Sequence, residues 1–300
     1  MKKLVLSLFL VSATVSLFGQ LTTQNDAKKI HEKKMIIALK SYPKKATPSE
    51  KANIDIQNRS LEFAMRNFWD FSKVDTAMYL NDAKKFVKNH NDYCYASIIQ
   101  TYSHSGTYNS TYRYVAIGEN LGIFDGKLQA SSYIPYYEDS LTRTVAAYAS
   151  MQLSRFLENL YVGNYKSMLG STKHIKQNSS KIIEKTLLIP REYLSPKLSE
   201  DDVKLFYPYK IDFCDLNKIE NAILERDPAY AVLFYVPFPM NGKFQQNIFV
   251  SNPEDGEIYG MIGFDTFQLN LRVIGDLTGW DKRKFLVNEK QLKQLAKLVD

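Results

Sequence analysis

One pattern occurs twice in the chain, and any fold must accommodate both copies. Lys73-Val74-Asp75 leads into Leu80-Asn81, then an amphipathic run, then Asp92-Tyr93-Cys94-Tyr95-Ala96 at the head of an apolar run. Lys210-Ile211-Asp212, Leu216-Asn217 and Asp227-Pro228-Ala229-Tyr230-Ala231 repeat that order, at offsets of 137, 136 and 135 residues. Between the anchors, Leu80, Ala83, Phe86 and Val87 align with Leu216, Ile219, Ala222 and Ile223, the i, i+3, i+6 and i+7 positions of one helix face. Agreement of residue identity with side-chain pattern points to internal duplication. The expected architecture is α+β: two tandem related β-α-β-α-β-β units, each a mixed or antiparallel sheet packed against helices, spanning 26–169 and 181–300.

A signal peptide is expected ahead of them, over residues 1–19. Lys2 and Lys3 form a cationic start, Leu4 to Phe18 an apolar core, and Gly19 a cleavage point before Gln20. Leu17 departs from the small-x-small rule there. No cysteine lies near that point, so no lipid anchor is expected, and no later run of about 18 apolar residues would span a bilayer. The expected location is exported, in the periplasm or extracellular. The net charge of +7 includes the two signal lysines, which leaves +5 spread along the remainder. Lysine pairs such as Lys28-Lys29 and Lys84-Lys85 read as solvated faces, and a nucleic-acid partner is not expected.

Within the first unit a charged lead-in precedes a strand from Lys34 to Ser41, and Pro43 and Pro48 bracket a loop. Leu61, Ala64, Met65 and Phe68 recur at helical spacing, and Trp69 and Phe71 close that helix as core residues. Asp125-Gly126 is a hairpin signal, and Asp139 or Ser140 caps a long helix bearing Leu141, Val145, Tyr148, Ala149, Phe156 and Leu160. Polar Gly170 to Lys185 reads as the boundary between units. Lys185 to Pro190 takes the place of the first strand, Ser199-x-x-Asp202 caps a short helix, and Tyr230 to Val236 suits a strand covered on both faces. Leu292, Leu295, Ala296 and Val299 mark a terminal helix in the position of the earlier long one.

The candidate binding residues are Tyr102, His104, Tyr108, Tyr112 and Tyr114. They sit in a Tyr-, Ser- and Thr-rich connection, and such side chains give wide amphipathic contact and adaptable hydrogen bonds. The same composition also suits a plain exposed hairpin. His104 and Cys94 could be drawn as a base and nucleophile, but no orienting group or elbow motif accompanies them. His31, His90, His104 and His174 all read as solvated. No phosphate-cradling glycine loop, His-Glu-x-x-His or Gly-x-Ser-x-Gly occurs, so no cofactor, metal or catalytic residue is assigned. The acidic Pro253-Glu254-Asp255-Gly256 turn lacks the oxygen ligands of a calcium loop. Two cysteines in so long an exported chain do not make a disulfide scaffold, and two buried thiols are the leading reading.

The Lys-Lys start, the expected mature start at Gln20 and the block Phe68-Trp69-Asp70-Phe71-Ser72-Lys73-Val74 resemble the uncharacterised secreted proteins common in the Bacteroidota. The element order is also similar to small α/β envelope domains, such as the amino-terminal domain of the Tol-system periplasmic protein. That likeness implies binding and assembly rather than catalysis and carries over no functional residue. The expected function is therefore non-catalytic binding or scaffolding in the cell envelope, with an envelope protein or glycan as partner. The alternative is an envelope hydrolase whose site lies in the cleft between the two units.

Overall fold

The computed structural model describes residues 22–105, 108–118, 128–133, 142–166, 168–240, 243–263 and 286–299. The expected signal segment and Asp125-Gly126 lie outside them. Helix α1 (Gln24–Glu32) precedes β1 (Lys34–Leu39), α2 (Pro48–Phe68), β2 (Val74–Tyr79), α3 (Leu80–Asn89), β3 (Tyr93–Ser105), β4 (Tyr108–Gly118), β5 (Leu128–Tyr133), α4 (Arg143–Tyr161) and α5 (Met168–Asn178). After a 3-10 turn at Ser179–Glu184 come β6 (Thr186–Pro190), α6 (Glu200–Phe206), β7 (Ile211–Cys214), α7 (Leu216–Leu224), β8 (Tyr230–Met240), β9 (Lys243–Ser251), β10 (Ile258–Gly263) and α8 (Glu289–Val299).

The two sheets share one topology. The first has the order β2-β1-β3-β4-β5 and the second β7-β6-β8-β9-β10. In each, the first strand pairs parallel with the second and third, and the rest pair antiparallel. One detail of the repeat is corrected by the ladders. Lys34 lies opposite Tyr93 and Thr186 opposite Tyr230, so Tyr93, not Tyr95, occupies the place of Tyr230. The slip is two residues, one full strand period, so every side chain keeps its face.

Local signals explain the boundaries that the periodicity missed. The lead-in is helix α1, because Thr23 and Asp26 form a capping box. Pro48 opens α2 rather than bounding a loop: Thr47 and Glu50 form another box, and proline fits the first helical turn, where its missing N–H costs nothing. The cap of α4 is Thr142, whose side chain accepts from the Val145 amide, in place of Asp139 or Ser140. The supposed boundary from Gly170 is mostly helix α5.

The layers run α3, first sheet, a shared helical layer, second sheet, then α6 with α8. Ile36, Ala38, Tyr95 and Ala116 meet Ala83 and Val87 of α3 on the outer face of the first sheet. Its inner face, with Met35, Ile37, Ala96 and Val115, shares one core with α2, α4, Ile219 and Ile223 of α7, and Leu188, Val232, Phe234 and Phe249 of the second sheet. Leu187, Leu233 and Val250 pack on the far side with Val203 of α6 and Leu292 and Leu295 of α8.

Helix α4 is therefore wedged between the sheets, and its residues are buried around nearly the whole circumference. Helix α8 covers the equivalent face of the second sheet, but it keeps Lys290, Lys293 and Lys297 in solvent. A polar outer face ends a stack of repeats that an all-apolar helix would continue.

Helix α7 ends on an arginine where glycine is usual. The Asp227 amide donates to the Ala222 carbonyl at 2.9 Å and the Arg226 amide to Ile223 at 3.2 Å, a Schellman ending with Arg226 at φ 53°. The guanidinium crosses to the first unit, donating to Asp70 Oδ2 at 2.8 Å and to the Asn67 carbonyl at 3.0 Å. Arg226→Ala loses those contacts and keeps the backbone strain, whereas Arg226→Gly relieves the strain. The glycine variant should be the more stable of the two by about 1 kcal/mol in urea unfolding. Equal midpoints would show that the left-handed backbone costs nothing here.

Candidate functional site

Two places concentrate functional side chains: a two-stranded ribbon on the first sheet and a polar cleft between the units. The ribbon is the distal part of β3 and β4, which pair from Tyr95↔Gly118 out to Ser105↔Tyr108. β1 reaches β3 only from Tyr93 to Ala96, and β5 reaches β4 only from Tyr114 to Gly118. Tyr102, His104, Tyr108 and Tyr112 therefore lie on a stretch where, among the described residues, each strand has the other as its partner, and Tyr114 lies at its base. Tyr102 stands opposite Thr111 and His104 opposite Asn109, whereas Tyr108 and Tyr112 stand opposite Ser105 and Thr101. Opposed residues share a face, so the register puts Tyr102 and His104 on one face of the sheet and Tyr108, Tyr112 and Tyr114 on the other.

The cleft was not singled out in the sequence. On α4, Gln152, Arg155 and Asn159 follow at three- and four-residue spacing and face one way. Against them lie His174 of α5, Tyr165, and Gly256 and Glu257 from the β9–β10 turn. Glu257 keeps only 7% of its side chain exposed and is held at both oxygens. Oε2 accepts from Arg155 Nε at 2.7 Å and Asn159 Nδ2 at 3.0 Å. Oε1 lies 3.3 Å from His174 Nε2, which is also 3.0 Å from Asn178 Nδ2. His174 is thus drawn into a buried network, contrary to the solvated reading, because α5 turns it inward where a polar loop was expected. Burial, and then the charge of Glu257, push the Tyr165 phenol well above its ordinary value, so it stays protonated.

The turn is built for this contact. Asp255 Oδ1 accepts from Asn252 Nδ2 at 2.9 Å and from the Glu257 amide at 3.0 Å, which fixes the loop internally. The remaining cavity is about 20 Å³, room for roughly one water. Its chemistry is that of a joint: an anion on one unit neutralised by donors on the helix that enters from the other. Glu257→Ala takes the carboxylate away from Asn159 and His174 and leaves Arg155 only the longer contact to Asp255 Oδ2 at 3.4 Å. It should cost roughly 1.5–3 kcal/mol in denaturant unfolding, with Glu257→Gln intermediate. A wild-type midpoint for the alanine variant would mean that solvent replaces the carboxylate without loss.

Among the described residues no group of three or more His, Cys, Asp and Glu is placed to hold a metal ion. Cys94 and Cys214 are buried thiols that form no disulfide. Burial, with Asp212 adding to it, pushes the Cys214 thiol up to about 11, the opposite of an activated nucleophile. No helix among the described residues is long and apolar enough to cross a membrane. Comparisons with family models, with curated proteins and with solved structures find no match.

Proposed function

We propose that the chain is an exported, non-catalytic binding or scaffolding protein of the bacterial cell envelope, which engages an envelope protein or glycan through the Tyr-rich ribbon. The observation that supports this reading is the β3–β4 pairing, which carries a Tyr-, Ser- and Thr-rich stretch beyond the strands flanking it. A rigid scaffold beneath a stretch of that composition suits contact with a partner surface. The cleft supports the same reading, because Glu257 is engaged at both oxygens and the space beside it is far below substrate size.

The test is recovery of partners from the envelope fraction with the purified mature protein, alongside a glycan panel. A partner should be retained by the wild type, and its affinity should fall at least tenfold when Tyr108, Tyr112 and Tyr114 are replaced by alanine together, or Tyr102 with His104. A partner held equally by both variants would remove the ribbon from the reading. Hydrolysis of an envelope polymer that Glu257→Gln abolishes would instead favour a hydrolase centred on the cleft.

A further inference from the structure

The two units build the same ribbon, yet they treat its outer edge differently. In the first, β3 and β4 close on a two-residue connection flanked by Ser105↔Tyr108; in the second, β8 and β9 close likewise on Met240↔Lys243. The pair flanking a two-residue hairpin exchanges hydrogen bonds, and bonded and unbonded pairs then alternate along the ladder. Ser105 and Ser103 on β3, and Met240 and Phe238 on β8, thus turn their peptide groups toward their partners. Gln100, Tyr102 and His104, and Pro237 and Pro239 in the other unit, turn theirs outward.

Proline has no N–H to offer, so the second ribbon has an outer edge without donors at two successive outward positions. Measured from the hairpin, Tyr102 and His104 stand where Pro237 and Pro239 stand. They keep their donors. From Ser97 to Ser105 the strand has no proline and no charged residue, whereas the edge strands β2 and β7 carry Asp75 and Asp212. Proteins guard free edges with charges and prolines; this stretch has neither, as is also true of the edge strands β5 and β10. Among the described residues β1 pairs with β3 no further than Ala96.

We propose that the outer edge of β3 at Gln100, Tyr102 and His104 pairs antiparallel with the same edge of a second copy of the chain. A two-fold axis at Tyr102 sets Tyr102 opposite its own copy and Gln100 opposite His104. It brings no like charges together and forms about six backbone hydrogen bonds, two for each opposed pair. An isologous edge of this kind closes at two chains and leaves no growing end. The contact is small, so the dissociation constant should be on the order of 10 µM. The pairing uses peptide groups alone and is independent of what the ribbon side chains bind.

Sedimentation velocity and light scattering of the purified mature chain between roughly 1 and 100 µM test the pairing across that range. The wild type should pass from one to two chain masses. Tyr102→Pro with His104→Pro, which copies the guarded edge of the second ribbon, should stay at one. Tyr102→Ala with His104→Ala, which keeps both amides, should still reach two, even where it has lost an envelope partner. A wild type of one chain mass throughout, a proline variant that still pairs, or an alanine variant that does not would each overturn the proposal. Should the proline variant fail to fold, hydrogen exchange of the wild type decides. Protection of the Gln100, Tyr102 and His104 amides should rise with concentration, and protection independent of concentration counts against pairing.

Discussion

Replacing Gly256 by alanine should destabilise the whole protein by about 2–5 kcal/mol, through a clash that no side-chain movement can relieve. Gly256 has φ 76°, where a Cβ alone costs about 1–2 kcal/mol. A Cβ built there would lie 2.5 Å from the Gln152 nitrogen and 2.6 Å from the Met151 carbonyl carbon, both in the backbone of α4. Overpacking against fixed atoms adds about 1–3 kcal/mol. Because α4 lies in the core of both units, its displacement should propagate to both sheets. At roughly 2–4 °C per kcal/mol, the thermal midpoint should fall by about 4–20 °C. The contrasting variant is Gly260→Ala, whose Cβ meets side chains rather than backbone, the ends of Leu298 at 2.7 Å and Ile182 at 3.3 Å and the Val250 Cβ at 3.7 Å. A Gly256→Ala protein within about 0.5 kcal/mol of the wild type would show that the turn does not seat against α4 as described.

The second large effect belongs to Tyr148, the residue through which α4 grips the second sheet. It is fully buried, its ring centroid lies 4.0 Å from that of Phe234, and its hydroxyl lies 2.6 Å from Ser251 Oγ while accepting from Gln152 Nε2 at 2.9 Å. Tyr148→Ala opens a cavity where the two units share a core and should cost about 3–5 kcal/mol. Tyr148→Phe keeps the ring but takes one hydrogen bond from each of Ser251 and Gln152, at roughly 1–2 kcal/mol. Both variants and the wild type should unfold in one transition, seen alike by near- and far-ultraviolet circular dichroism, because one core serves both sheets. Two separate transitions, with Tyr148→Ala shifting only one, would show that the units are independent domains and that α4 belongs to the first alone.

Much of this architecture was legible because it rests on short-range pattern. The strand, helix and strand order recurs where Lys73-Val74-Asp75 and Lys210-Ile211-Asp212 announced it. Helix α3 carries Leu80, Ala83, Phe86 and Val87 on one face, as the apolar spacing implies, and the run from Ala231 to Val236 is buried on both faces, as its unbroken apolar character implies. Phe68 and Phe206 end equivalent helices, with Trp69 and Tyr207 as the caps that follow. The helices missed at Gln24 and Gly170 hold too few apolar residues for a stripe, Ala27 and Ile30 in α1 and Met168, Leu169 and Ile175 in α5, so that capping and tertiary burial decide them rather than periodicity.

The cleft was not legible for a different reason. Arg155, His174 and Glu257 belong to three elements, separated by 19 and 83 residues, and nothing local marks them as neighbours. Glu257 reads as the charged end of a turn until α4 is found lying across that turn. The Tyr-rich ribbon shows the converse: its composition was plain, but only the register divides its five candidates between two faces.

The sequence by itself determined the duplicated strand and helix order, the faces each element buries and the turn residues, since these depend on the few neighbours of each position along the chain. Tertiary structure alone decided that one helix would serve both sheets, that a glutamate would be sealed against it, and that one ribbon edge would keep its donors at the positions where the other has prolines. Those outcomes depend on which surfaces meet after the local elements have formed, and residues far apart in the chain carry no record of that meeting.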